Sequence, residues 1–187
     1  MELILASASP RRQALLRQCG FDFTVETARV AELTDAGDLY DLPRENAARK
    51  AEAVARRHPD SLIVGADTMI VFSGRAIGKP ADAADAVRML EEFSGRTHDV
   101  VTGVALRCVG RGMRESWRET SHVTFRELTP DVIREYLRRV RVLDKAGAYA
   151  IQECGEMIVA GFSGELENIV GLPLRRLTVR LRELLRA

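Results

Sequence analysis

The segment Glu2-Leu3-Ile4-Leu5-Ala6-Ser7-Ala8-Ser9-Pro10-Arg11-Arg12 predicts a strand, a tight turn and the start of a helix. Residues 2–6 are apolar enough to form a short buried strand. Ser9 is a favourable N-cap, and Pro10 suits the first helical position because its missing N–H has no partner there. Gly20 should end this helix. The chain is therefore expected to begin with a strand–helix unit of an α/β protein.

The same turn is a candidate anion site. It places two hydroxyls and two guanidinium groups around the amino end of a helix; these belong to Ser7, Ser9, Arg11 and Arg12. A helix amino end offers free N–H donors and the positive end of its dipole, and arginine adds paired hydrogen bonds to phosphate oxygens. An ordinary serine cap followed by two exposed arginines would give the same six letters. The segment alone leaves both interpretations open.

The remaining pattern alternates strands and helices. Strands are predicted at 21–27, 62–64, 69–72, 98–109 and 115–128, helices at 43–57, 82–93, 129–139 and 172–186, and an irregular stretch at 144–171. The two longest strands are joined by Gly110-Arg111-Gly112, which predicts an antiparallel hairpin. Because a hairpin breaks strict βαβ order, the predicted fold class is α/β with a mixed sheet.

Three further charged residues are candidates for a site. Gly65-Ala66-Asp67-Thr68 is expected to interrupt a strand and to place Asp67 at a bend, where it could hold a divalent cation or accept a proton from water. An aspartate there could equally be a turn former. Lys79, in Gly78-Lys79-Pro80, and Lys50, on a helix face, could contact phosphate or be solvated. The common nucleotide patterns GxxxxGK[ST] and GxGxxG are missing from the sequence.

Composition limits the class of protein. The chain has 187 residues, 46% of them hydrophobic, which predicts a single domain over residues 1–187. Its 28 basic and 27 acidic residues leave a net charge of +1, and only 5% are aromatic, so no nucleic-acid partner is expected. No apolar stretch suggests a signal peptide or membrane span. Three widely spaced cysteines are expected to be reduced, in a cytoplasmic protein.

Eight short blocks follow one another in a fixed order along almost the whole chain. They are SASPRR (7–12), KA (50–51), GADT (65–68), GKP (78–80), SGRTH (94–98), VTF (123–125), DKAGAYAIQ (144–152) and NIVGLP (168–173). In this order they resemble the Maf, or septum-formation, family of nucleotide pyrophosphatases. The resemblance implies an elongated, twisted mixed sheet with flanking helices, similar to the inosine triphosphate pyrophosphatase fold, with a cleft between two lobes. Homodimers are frequent in that family.

The resemblance also implies a reaction and a set of residues. Residues 144–152 are similar to the branch that hydrolyses dTTP and UTP to the monophosphate and pyrophosphate, an activity suited to nucleotide-pool housecleaning. By position, Asp67 would be the proton acceptor, and Arg11, Thr68 and Gln152 would select the substrate. The Gln152 amide carries both a donor and an acceptor, which suits the edge of uracil or thymine.

A nucleoside triphosphate would need both cations and a metal. Its negative charges would be met by Arg11, Arg12, Lys50 and Lys79. The family has a glutamate at the position of Glu32, which would join Asp67 in holding a magnesium or manganese ion. Asp67 could then remove the proton from water or only ligate the metal, and the sequence leaves both roles open.

Two alternatives remain at this point. This chain has Val140-Arg141-Val142-Leu143 where the family commonly has Gly-Glu-Pro-Leu, and Ala150 where many members have glycine. A different base preference is therefore the first alternative. The second alternative is a non-catalytic, nucleotide-binding regulator of cell division. The presence of Asp67 and Glu32 favours an enzyme, since a pure sensor does not need hydrolytic carboxylates. His98 and His122 are expected to be structural because no activatable nucleophile accompanies them.

Overall fold

The computed structural model describes residues 1–35 and 37–186, which form a mixed sheet with flanking helices. The strands are β1 (Leu3–Leu5), β2 (Thr24–Val25), β3 (Leu62–Phe72), β4 (Arg75–Ile77), β5 (Thr97–Cys108), β6 (Met113–Phe125) and β7 (Val159–Ser163). The helices are α1 (Pro10–Gln18), α2 (Leu42–Ala55), α3 (Ala83–Phe93), α4 (Pro130–Arg139), α5 (Leu166–Val170) and α6 (Leu174–Arg186). None of these helices is long and apolar enough to cross a membrane.

The strand order is β2-β1-β3-β5-β6-β7, with β4 paired to β3. β1 runs parallel to both β2 and β3, in a register that sets Ile4 opposite Thr24 and Ile63. The β3–β4 and β6–β7 pairs are antiparallel. The predicted hairpin is present, because four residues join the neighbouring strands β5 and β6 and a parallel crossover needs a much longer connection. The predicted mixed α/β class is confirmed.

The chain folds into two compact units, each built from separate stretches of sequence. The first comprises Met1–Thr68, Val101–Glu119 and Glu167–Ala187, and the second comprises Met69–Val100 and Thr120–Leu166. In the first unit, small residues of α2 pack on the sheet; the buried cluster is Ile4, Ala6, Ala47, Ala51, Val54, Ala55, Ile63 and Ala105. Small side chains let the helix approach the strands closely.

The second unit has an aromatic core. Phe93 stacks on the His98 ring with centroids 4.5 Å apart and meets the edge of Phe72 at 4.9 Å. His98 Nε2 lies 2.7 Å from the Tyr149 hydroxyl. Burial lowers the pKa of His98 to about 4, so the ring is neutral at neutral pH. These contacts agree with the structural role expected for His98.

The prediction that residues 65–68 interrupt a strand is wrong, because β3 continues unbroken through them. Position 65 has no room for a side chain, because a Cβ there would lie 2.3 Å from the Ala47 carbonyl oxygen and 2.9 Å from the Ala51 Cβ. The glycine therefore lets α2 rest directly on β3 and does not end the strand. Asp67 lies within a regular strand and not at a bend.

Other boundaries differ where tertiary contacts outweigh the local pattern. A strand was expected at 21–27, but only Thr24–Val25 form one, and both of their side chains are exposed. The stretch expected to be irregular, 144–171, contains β7 and α5. β7 buries only its first residue, so it shows no alternating pattern. Helices α1, α3 and α4 begin as predicted, each capped by a side chain that accepts a backbone N–H: Ser9, Asp82 and Thr129. All three cysteines are free thiols, as expected.

Candidate active site

Three of the predicted site residues meet in one cluster. The Lys50 Nζ lies 2.7 Å from Asp67 Oδ1 and 2.5 Å from Glu32 Oε1. The Lys50 and Asp67 side chains are each only 15% exposed, whereas that of Glu32 is 59% exposed. We call these three residues the carboxylate cluster. It places one ammonium group between two acids at the surface of the first unit.

The packing of α2 on β3 explains why Lys50 reaches Asp67. Side chains two residues apart in a strand point to the same face, so Asp67 points to the face on which Gly65 meets α2. Lys50 precedes the buried Ala51 on that helix and lies at the edge of its buried face. The close approach allowed by Gly65 therefore brings the lysine and the aspartate within hydrogen-bonding distance.

The environment of Asp67 favours proton or cation binding. Burial raises the pKa of Asp67 above its usual value, and the nearby Glu32 carboxylate adds to the rise. The positive charges of Lys50 and Arg12 oppose it. A carboxylate removed from water in this way is a better proton acceptor than an exposed one and gains more from a bound cation.

The carboxylate cluster also fits a divalent metal. Oxygen atoms of Asp67 and Glu32 converge on one cation position, where the Lys50 ammonium lies in this structure. Magnesium prefers oxygen ligands and keeps several waters. Within residues 1–35 and 37–186, no group of three or more histidine, cysteine or acidic side chains converges on one point. Two carboxylates would therefore hold the ion, and water or phosphate oxygens would complete its coordination.

Arg12 forms a second cluster with neutral acceptors. Its Nε donates to the Gly171 carbonyl at 2.8 Å, and its two terminal nitrogens donate to Ser7 Oγ at 3.2 Å and to Thr68 Oγ1 at 2.9 Å. Burial lowers the pKa of Arg12, with Arg11 as a further cause. The Arg12 guanidinium thus links three parts of the chain: the turn after β1, strand β3, and Gly171 before α6. Arg11 is exposed and remains the better placed of the two for a ligand.

The serines of the opening turn hold that turn in place. Ser9 Oγ accepts a hydrogen bond from the Arg12 backbone N–H at 3.5 Å, and Ser7 Oγ accepts one from the Ser9 N–H at 3.3 Å. Both hydroxyls can still act as donors to a ligand because each carries its own proton. The structure therefore assigns them a capping function and leaves a phosphate contact as a prediction.

Thr102 completes the second cluster and was missed by sequence reasoning. Its hydroxyl oxygen lies 2.9 Å from that of Thr68 and 3.1 Å from the Asn168 carbonyl oxygen. The side chain is fully buried. A hint was available, since Thr102 is the one hydroxyl within the apolar run 100–106. We call Arg12, Thr68 and Thr102 the hydroxyl cluster.

The two remaining predicted residues, Lys79 and Gln152, belong to the second unit. Both are exposed. Within that unit the Gly78 carbonyl accepts a hydrogen bond from the Gly147 N–H at 2.9 Å, which holds the segment before Lys79 against the segment that leads to Gln152. The backbone next to Lys79 is therefore held in place, and the side chains of Lys79 and Gln152 are open to solvent.

Comparisons with known proteins agree with this description. The family model for Maf-like proteins matches residues 2–184. A dTTP/UTP pyrophosphatase of Akkermansia muciniphila is 48% identical over 174 residues, which cover 92% of this chain and 91% of that protein. A dTTP/UTP pyrophosphatase of Moorella thermoacetica is 47% identical over 189 residues, covering 98% and 93%.

A solved structure extends the comparison to the fold. The Ham1 protein of Staphylococcus aureus matches with a TM-score of 0.56 at 14% identity, covering 98% of this chain and 99% of that one. At this identity the likeness concerns the fold alone. The family match, by contrast, spans nearly all of the sequence and is joined by relatives close to half identical. The chain belongs to the family of Maf-like proteins.

Proposed function

We propose that this protein hydrolyses dTTP and UTP to the nucleoside monophosphate and pyrophosphate. The carboxylate cluster is the observation that carries the proposal, because it gives a desolvated carboxylate a fixed position beside a cation. The relatives of this chain that are named dTTP/UTP pyrophosphatases support the substrate class. In the proposed reaction, water attacks the α-phosphorus and pyrophosphate leaves.

Each part of the carboxylate cluster has a role in this reaction. Asp67 accepts the proton of the attacking water, for which its raised pKa suits it. Before a metal binds, Lys50 keeps Asp67 oriented. A metal at the position of its ammonium would displace Lys50 towards the phosphate oxygens, where it supplies positive charge as they gain negative charge. A magnesium or manganese ion held by Asp67 and Glu32 would neutralise charge on the leaving pyrophosphate and make bound water more acidic. Arg11 and Lys79 bind the remaining phosphate oxygens.

The base is selected by hydrogen-bond complementarity. The uracil and thymine edge presents an acceptor, an N–H donor and a second acceptor, and the Gln152 amide can pair with a neighbouring donor and acceptor of that edge. Thr68 contributes a hydroxyl to the same selection. CTP replaces one acceptor with an amino group and the N–H with a bare nitrogen, so the Gln152 amide would have to flip and any partner of fixed polarity would be left unpaired. Such a loss corresponds to roughly tenfold to a hundredfold in kcat/KM.

The direct test measures pyrophosphate release from dTTP, UTP, CTP, ATP and GTP, first with magnesium and then with a chelator. We expect dTTP and UTP to exceed CTP by roughly tenfold or more, and we expect chelation to abolish turnover. CTP or GTP as the best substrate would overturn the base assignment. Tight nucleotide binding without any turnover would instead support the non-catalytic regulator.

A base-specific variant sharpens this test. Gln152→Glu replaces the amide donor with an acceptor of the same size, so we expect kcat/KM for UTP to fall by roughly tenfold or more. Gln18→Glu, at an exposed position on α1, is the matched control and should leave it unchanged. Equal effects of the two changes would remove Gln152 from the selection of the base.

A further inference from the structure

A groove on the outer side of α2 has no role in the proposed reaction. It has a volume of about 490 Å³ and lies within the first unit, where α2 and the β5–β6 hairpin supply its walls. Its charged lining residues are Glu45, Arg49, Glu52, Arg56, Arg107 and Arg114. Glu45, Arg49 and Glu52 of α2 and the C-cap residue Arg56 lie three or four positions apart and therefore share one helix face. Lys50 is offset from Arg49 by about 100° around the helix and belongs to a different face.

Positive charge in this groove is poorly compensated. Three arginines share the single carboxylate of Glu52, with N···O distances of 3.4 Å for Arg56, 3.6 Å for Arg107 and 3.5 Å for Arg114. Well-formed charge-assisted hydrogen bonds are about 2.7–2.9 Å long. Each of these pairs is longer, so the Glu52 carboxylate partly neutralises three cations and binds none of them closely.

The other acid of the groove is already paired. Glu45 Oε1 lies 2.9 Å from a terminal nitrogen of Arg44, whose side chain does not line the groove. The fourth arginine, Arg49, makes a long hydrogen bond of 3.4 Å to the Ala31 carbonyl. The groove thus keeps a surplus of guanidinium groups after its internal pairs are counted.

One of these arginines is held rigidly and out of water. The Arg107 side chain is 11% exposed, and one of its terminal nitrogens donates to the carbonyls of Leu106 and Glu115 at 2.9 and 2.8 Å. Burial lowers the pKa of Arg107, which shows the cost of its desolvation. A cation fixed in this way gains more from an arriving anion than a mobile, solvated one.

We propose that this arginine groove is a second ligand site, which binds a phosphorylated small molecule carrying at least two negative charges. Its volume lies in the range of about 300–1,000 Å³ that is usual for small-molecule pockets. Val30, Ala48 and Ala53 give it an apolar wall, against which the non-phosphate part of the molecule packs. The proposal does not depend on the proposed hydrolysis.

The groove is connected to the carboxylate cluster through its immediate neighbours. Arg49 precedes Lys50 in α2, and its hydrogen-bond partner Ala31 precedes Glu32. An anion that draws the Arg49 side chain away from Ala31 would therefore release the Ala31 carbonyl, whose residue adjoins Glu32. Occupancy of the groove should in this way change the environment of Glu32 in the carboxylate cluster.

Inorganic pyrophosphate, titrated into the full chain, is the probe that tests this site. The Nε–Hε NMR signal of Arg49, identified by its loss in Arg49→Ala, reports binding in the wild type and in a double variant that carries Arg56→Ala and Arg114→Ala. We expect this signal to shift saturably, and we expect the double variant to weaken the binding at least tenfold, because it removes two charge-assisted contacts. Arg134→Ala with Arg182→Ala removes the same charge at exposed positions outside the groove and should leave the affinity unchanged.

Two outcomes would overturn the groove as a site. The first is the absence of a saturable shift in the Arg49 signal, and the second is an equal loss of affinity in both double variants, which would indicate a general charge effect. Initial turnover of dTTP without added anion should stay within about twofold of wild type in the groove variant; a larger loss would contradict its separation from catalysis. The Arg49 signal does not require turnover, so failure of the hydrolysis proposal would be recognised separately.

Discussion

The hydroxyl oxygens of Thr68 and Thr102 lie 2.9 Å apart, in hydrogen-bonding contact. Each threonine hydroxyl has one proton. When Thr102 gives its proton to the Asn168 carbonyl at 3.1 Å, the Thr68 proton goes to Thr102 or to the Gly171 carbonyl at 3.4 Å, and Thr68 accepts from Arg12 at 2.9 Å. Thr68 then has one lone pair left and can meet a ligand only as an acceptor.

Replacing Thr102 with valine tests this arrangement. Thr102→Val keeps the shape but removes the nearer acceptor of the Thr68 proton and leaves only the Gly171 carbonyl at 3.4 Å, so the proton is more readily donated to the bare N3 of cytosine. We expect kcat/KM for UTP to fall about fivefold to a hundredfold, and the preference for UTP over CTP to narrow. Thr102→Ser, which retains the hydroxyl, should restore the preference. A loss of stability with an unchanged UTP to CTP ratio would show that Thr102 only supports the fold.

Asp67→Asn should abolish turnover while leaving the fold and nucleotide binding largely intact. The amide keeps the size of the carboxylate but can neither accept the proton of water nor neutralise a metal. Loss of a general base costs about a hundredfold to ten-thousandfold in kcat. Initial rates of pyrophosphate release and thermal unfolding measure the two effects, with the exposed Asp22→Asn as the matched control. Wild-type turnover in Asp67→Asn would remove Asp67 from the mechanism.

The proton affinity of Asp67 can be measured directly. Because burial raises its pKa, the folded protein binds this proton more tightly than the unfolded chain. The contribution of Asp67 to the free energy of unfolding therefore falls as the pH rises from the ordinary aspartate value through the raised pKa. Carboxyl-carbon NMR, assigned with Asp67→Asn, should show a midpoint above the usual aspartate value without metal. Magnesium should lower that midpoint, and no change would argue against a metal at the cluster.

Arg11 and Arg12 should respond differently to alanine. Arg12→Ala removes the guanidinium hydrogen bonds to the Gly171 carbonyl and to the Ser7 and Thr68 hydroxyls, so we expect a destabilisation on the order of 2–3 kcal/mol. Arg11→Ala removes an exposed side chain and should raise KM with little change in stability. Urea denaturation and steady-state kinetics separate the two effects. Equal stability losses would contradict the structural assignment of Arg12.

Local chemistry made part of this structure predictable. Helix starts such as Ser9 followed by Pro10 depend on residues close together in the chain, and they were predicted correctly. Family blocks identified Lys50 and Asp67, which the structure brings together. Thr102 was not predicted because its hydrogen-bond partners lie 34 and 66 residues away in the chain. No local sequence pattern distinguishes a buried threonine of this kind from others in strands.

The prediction of a bend at Asp67 was wrong for a related reason. Glycine has two different uses in strands, conformational freedom and lack of volume, and the sequence does not distinguish them. At Gly65 the requirement is lack of volume, set by a helix whose nearest turn lies 14–18 residues earlier in the chain. Reading such a glycine correctly requires knowledge of what packs above it.

A second strand glycine acts in the same way, since a Cβ on Gly103 would lie 2.3 Å from the backbone of Pro43 and Arg44. Gly65 and Gly103 thus support α2 at two points along its length, and together they set the height of the helix above the sheet. Lys50 has a side chain of limited reach, so this height decides whether its charge meets Asp67. Two residues without side chains, neither of which touches a substrate, act as the spacers that tune an electrostatic contact.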